Sequence, residues 1–238
     1  MGIRKQAAWF VAAALVAAFA VENGLAKPPR SISRVQTNAA LKDPTNGAAF
    51  DETFIIDGQT FHCLGAGGHK VLFYEVYSNA FCVDAKTSLE TIQEYILKTY
   101  PDHSSEKLFN KLKDDDKFFD LLSKLPGDKL IQIRFLRDLS RDQIADAMVK
   151  ATKPLVPAAE VERVNAAFRR RDPRQGDLAL IFSQGEALNM HLADSRERFE
   201  RANALVDRIW LVWLGGDSPT PSLREELARR FGAQNERR

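Results

Sequence analysis

The chain has 238 residues, 45% of them hydrophobic and 28% charged, with a formal net charge of +2. It is long enough for one large domain and too apolar for a disordered chain. A balance this close to neutral gives no global attraction for nucleic acid or an anionic surface, so no nucleic-acid partner is expected.

The start of the chain has the layout of a secretory signal peptide. Arg4 and Lys5 form a basic start, Ala7 to Val21 is an uncharged apolar run, and Gly24 and Ala26 are the small residues before a cut after Ala26. The alternative is an uncleaved anchor, but the run falls short of the roughly 20 residues a membrane span needs. Cleavage predicts a periplasmic or secreted protein, with membrane contact only through this segment should it stay attached. Residues 27–50 are rich in Pro, Ser, Asn and Ala without a period and read as a flexible arm. One domain is expected over 51–231, and a polar tail over 232–238.

Phe54 to Ile56, Asp57-Gly58 and Thr60 to Leu64 read as a hairpin with an Asp-Gly turn. Leu64-Gly65-Ala66-Gly67-Gly68-His69-Lys70 follows, and the apolar-rich run Val71 to Val83 stands directly behind it. Glycines this dense leave the backbone free to turn sharply or to let another group approach closely. Read as a turn, they join two strands of a three-stranded meander. A turn centred near Gly67 and Gly68 sets Cys63 opposite Leu72, about ten residues short of Cys82, so hairpin pairing gives no disulfide. Two buried thiols are the plainer expectation for Cys63 and Cys82, with a disulfide left open.

Read as one strand, Val71, Phe73, Glu75, Tyr77, Asn79 and Phe81 share a face. That set mixes aromatic and polar groups, as a ligand cleft does and as a solvated edge also does.

Further along, Ser88 caps a helix to about Thr99, and a helical stretch from Ser105 to Leu125 is interrupted at Asp114-Asp115-Asp116. The acidic triplet reads as a break between helices, because a calcium loop needs ligands at alternating positions. Leu130 to Leu136 is a predicted strand. Ser140 and Gln143 form a capping box before a helix whose inner stripe is Ile144 and Met148. A helix over Ala158 to Arg170 and a hairpin of Leu178 to Phe182 and Leu188 to Leu192 come next. A helix from Phe199 to Trp213 is expected to stop at a left-handed Gly215-Gly216, and Ser222 to Glu225 is a capping box for a terminal helix. Strands, helices, strands and helices in blocks predict an α+β fold, an antiparallel sheet with helices packed on one face. His62, His69, His103 and His191 lack metal-ligand spacing, and no metal or cofactor is expected.

Several of these blocks, in this order, resemble the chalcone isomerase fold family. They are Phe61 to Val83 with its Gly-Ala-Gly, Ser104 to Leu108, Lys129 to Arg141, Gly176-Asp177 with the strand behind it, and Trp213-Leu214-Gly215 with Pro221 and Leu223. The resemblance covers about 52–228 and implies that family's open-faced sandwich. Its enzymes close a chalcone onto its own double bond and need a cation and hydrogen-bond donors for the developing oxyanion. Their arginine falls on His69, their strand threonine on Tyr77 and their late threonine near Val212. Their helix tyrosine falls on Leu139 or Ser140, and its asparagine partner on Asp146 or Ala147. None of the five is retained, so chalcone cyclisation is not expected. Other members bind fatty acids through the arginine and a tyrosine. The resemblance therefore implies a non-catalytic binder of a small amphipathic or fatty-acid-like ligand, held by His69 and Tyr77 with Lys70 beside them, and the strand face they share adds Phe73 and Asn79 as candidate binding residues. The alternative is an intramolecular lyase or isomerase for another enone-like substrate, with His69 as acid or base and Tyr77 as donor.

Overall fold

The computed structural model describes residues 32–33 and 40–234. The proposed signal segment and residues 235–238 lie outside the described residues. Chain contacts separate residues 1–32 from residues 33–238, and the second unit carries the features below. β1 (Ile32–Ser33) falls at that boundary. β2 (Ala40–Lys42) and β3 (Ala49–Asp51) pair as a hairpin, in a stretch whose composition reads as an arm.

The main sheet places β4 (Thr53–Ile56), β5 (Gln59–Val71), β6 (Tyr74–Asp84), β7 (Lys129–Phe135), β8 (Leu178–Gln184), β9 (Ala187–Leu192) and β10 (Ser195–Phe199) side by side in that order. Every neighbouring pair is antiparallel. The helices are α1 (Glu90–Thr99), α2 (Ser105–Leu112), α3 (Asp116–Ser123), α4 (Arg141–Thr152), α5 (Ala158–Phe168), α6 (Asn203–Arg208), α7 (Leu211–Leu214) and α8 (Pro221–Gln234). The fold is α+β, as the block order of elements predicts.

The helices share one core with alternate sheet residues, among them Phe81, Ile131, Ile133, Phe135, Ile181 and Met190, packed with Phe118, Phe119, Trp210, Trp213 and Leu223. Side chains alternate across a strand, so Cys63, Cys82, Leu130, Leu180 and Phe182 lie on the opposite face. There the β2–β3 hairpin is tied to β6: Ser78 Oγ donates to Asp43 Oδ2 at 2.5 Å and accepts from Asn46 Nδ2 at 2.8 Å.

Local chemistry explains the elements that form where expected. Asp57 and Gly58 both take positive φ, 51° and 79°, the conformation a two-residue hairpin turn demands. Ser140 and Gln143 complete their capping box at the start of α4. Asp115 caps α3, accepting from Lys117 N and Phe118 N, and also takes the hydroxyls of Tyr95 and Tyr100 at 2.7 and 2.9 Å.

Five expectations are corrected. The glycine run is no turn: Gly65 to Gly68 lie within β5, and the turn is Leu72-Phe73. Val71 to Val83 is therefore not one strand, and Val71 and Phe73 do not share a β6 face with Tyr77. With the turn moved outward, Cys63 pairs with Cys82 across β5 and β6, and the two form a disulfide. The stretch read as a helix over Phe199 to Trp213 holds the end of edge strand β10 and two short helices, and Gly215 ends α7 in an extended conformation, φ −68° and ψ 165°. Finally, α8 starts at Pro221, whose missing N–H costs nothing in a first turn, and Ser222 is not its cap.

Candidate functional site

The site begins with the reason for the glycines. A Cβ on Gly67 would stand 2.1 Å from Leu223 N, and one on Gly65 2.9 Å from Leu227 Cδ2. Both clash with α8, so the glycines let a helix lie directly on a strand. Gly68 serves the other face, where a Cβ would meet Asp43 Oδ2 at 2.7 Å. Ser222 Oγ then accepts from Gly68 N at 2.9 Å and donates to Gly68 O at 3.0 Å. This clasp fixes the segment that precedes α8, Gly215 to Pro219, beside the end of β5.

His69 is the first residue of β5 beyond the clasp. It pairs across the ladder with Tyr77, and the two rings lie 5.0 Å apart. His69 Nδ1 is 2.5 Å from Pro219 O. A carbonyl only accepts, so Nδ1 carries the hydrogen, which leaves Nε2 as the remaining polar atom of the ring. Tyr77 is half-buried, beside Trp213. Burial pushes its phenol well above the ordinary tyrosine value, against the opposing pull of the Trp213 indole N–H. Tyr77 therefore stays protonated and able to donate.

His69 and Tyr77 stand at one side of a cleft of about 890 Å³. Its other walls are α4, through Ile144, Ala147, Met148 and Ala151, and the segment Leu211 to Pro219. A volume of this size suits a drug-sized or acyl ligand. Arg137, Asp138, Lys150 and Asp217 supply charge at the same cleft. Of the positions that the resemblance singles out, His69, Tyr77, Leu139, Ala147 and Val212 all line it. Ser140 instead caps α4, and Asp146 pairs with Arg169 at 2.7 Å. In either register four of the five positions thus converge on the cleft, and two of those four, Val212 with Leu139 or Ala147, present aliphatic carbon.

The other candidate residues sit apart from His69 and Tyr77. Lys70 is exposed and ion-paired with Glu75 at 3.1 Å. Phe73 is 94% exposed at the hairpin tip. Asn79 is fully buried two residues below Tyr77. With its amide turned to satisfy both neighbours, it donates to Gly67 O at 2.7 Å and accepts from Trp213 Nε1 at 3.1 Å, so it braces the clasp. Arg137, Lys150 and Trp213 were not legible as cleft residues. Trp213 reads as core from its helical spacing, and it is indeed buried while touching the cleft. The signal for α4 was its inner stripe, which continues from Ile144 and Met148 to Ala147 and Ala151. Among the described residues no cluster of His, Cys, Asp or Glu could hold a metal ion.

No protein-family model matches the chain, and no curated protein matches it by sequence. Solved structures do match. The fatty-acid binding protein AtFAP1 of Arabidopsis thaliana superposes with a TM-score of 0.58 at 14% identity, covering 82% of this chain and 98% of its own. At that identity the likeness shows the fold, and the fold is chalcone isomerase-like, an antiparallel sheet with helices on one face.

Proposed function

We propose that this protein is a non-catalytic binder of a small amphipathic, fatty-acid-like ligand. The chain of the ligand lies along α4, and its polar group sits at the His69–Tyr77 end. The observation that carries this reading is that Leu139, Ala147 and Val212 present only aliphatic carbon to a cleft of about 890 Å³. Those side chains offer an oxyanion nothing and an acyl chain a dry wall. The likeness to a fatty-acid binding protein supports the same reading.

At the polar end, Tyr77 donates from its hydroxyl. His69 Nε2 accepts while the ring is neutral and donates only as imidazolium. A carboxylate is therefore held best when the ring takes up a proton, and a carboxylic acid or alcohol needs no such uptake. The buried Cys63–Cys82 disulfide supports export of the mature chain to the periplasm or beyond, since such bonds persist in oxidising compartments.

Titration with a long-chain fatty acid, read by calorimetry, tests the proposal. Saturable binding is expected, weakened about tenfold by Tyr77→Phe through loss of a hydrogen bond to a charged group. It should be weakened further by Ala147→Trp, which puts an indole against the acyl path along α4. No heat at any accessible concentration, or binding indifferent to Ala147→Trp, overturns it. Turnover of enones that depends on His69 would put the isomerase alternative in its place.

A further inference from the structure

The turn between β5 and β6 has a composition that stability alone does not favour. Val71, Leu72, Phe73 and Tyr74 are consecutive, and they are 51, 85, 94 and 62% exposed. They are four of the five large hydrophobic residues exposed among the described residues. Leu72 also takes φ 55°, a left-handed conformation that strains an ordinary residue and costs glycine nothing. A two-residue hairpin turn is normally built from Gly, Asn or Asp. Here a branched aliphatic side chain occupies the strained position and points its surface into solvent.

We propose that this turn docks on a phospholipid bilayer, with Leu72 and Phe73 in the boundary between headgroups and acyl chains. Three observations favour lipid over a protein partner. The patch is a projecting tip of four residues, whereas a stable protein interface needs about 800 Å² on each side. A fluid bilayer accommodates a narrow convex apolar wedge, and an aromatic residue such as Tyr74 suits its interfacial layer. The flanking charges fit headgroups: the Arg137 guanidinium stacks 5.3 Å from the Tyr74 ring and keeps its donors for phosphate. Lys70 is exposed nearby, with Glu75 and Asp138 adding the opposite sign.

The tip is continuous with the cleft, because Val71 belongs to both. Docking brings the mouth of the cleft to the bilayer, and an acyl ligand then passes between them without crossing water. That last step rests on the proposed function; the docking does not.

The test uses the full chain carrying Phe73→Trp and vesicles of phosphatidylethanolamine and phosphatidylglycerol with brominated acyl chains. Emission is read as the difference from wild type, so the native tryptophans and the N-terminal run cancel. A blue shift and bromine quenching of the new indole are expected. Adding Leu72→Asp should weaken the quenching about tenfold, the cost of withdrawing one buried aliphatic side chain. A new indole whose emission is unshifted and unquenched overturns the proposal. So does quenching that Leu72→Asp leaves intact. Fatty-acid titration of the same variants in solution separates the two readings. Quenching without any fatty-acid binding supports docking and sinks the ligand assignment.

Discussion

The two halves of β5 do opposite things with the same ladder. Its inner half, Cys63 to Gly68, is closed on all sides: by a disulfide to β6, by α8 on one face and by the β2–β3 hairpin on the other. Its outer half, His69 to Val71, is left open to the cleft and then to solvent. The inner half spends its side chains on packing, to the point of having almost none. The outer half is free to present an imidazole and apolar carbon because the inner half already fixes where the strand lies. Cleft wall and support are thus adjacent segments of one strand, a division that sets the cleft on a rigid element.

The sharpest way to break that division is Gly67→Val. Its Cβ has no room beside Leu223 N, so α8 must move off the strand. A loss of about 3 kcal/mol is expected in urea unfolding, together with loss of ligand binding, since the cleft wall before α8 is held by the same clasp. Next in size is the Cys63→Ala, Cys82→Ala double variant. Removing a link across 19 positions should cost about 2–4 kcal/mol. Reductant should produce the same drop in wild type under denaturing titration and no change in the variant. The smallest effect comes from Tyr77, which pairs with the outer half from β6. The Tyr77 phenol is raised in the folded chain, so the unfolded chain ionises first as pH rises. Stability owed to the neutral phenol is complete below the ordinary phenol range, about pH 10, and declines above it. Tyr77→Phe should flatten that alkaline decline in thermal melts recorded across pH while leaving neutral-pH stability nearly unchanged. An equally steep decline in Tyr77→Phe would show that the burial of this phenol is not its cause.

How much of this was legible follows from how local each signal is. The Asp57-Gly58 turn, the Ser140–Gln143 cap and the break at Asp115 are decided within four residues, and each was readable. The glycines of β5 were visible but misread. The reason for Gly65 and Gly67 is a helix at Ser222 to Leu227, far along the chain, and nothing nearby distinguishes close approach from turning. The misplaced turn then carried the cysteines with it, because pairing register follows turn position. Leu72-Phe73 has none of the residues that mark a turn, so the true one was invisible. Strand β10, Ser195-Arg-Glu-Arg-Phe, is an edge with a polar, half-exposed pattern, and its apolar content is too slight to declare a strand. At the site, the resemblance located His69 and Tyr77. Alternation along a single imagined strand added Phe73, which the real turn removes to the tip.

The wall formed by Leu211 to Pro219 is made well after β5, β6 and α4 during synthesis. Until it exists, the sheet and α4 offer an open trough with no far side. The clasp that holds this wall needs α8 as well, so no partial chain ending before Ser222 holds the wall in place. An enclosed cleft is therefore a property of the finished molecule. A ribosome-bound chain passes through translation with its cleft unbuilt.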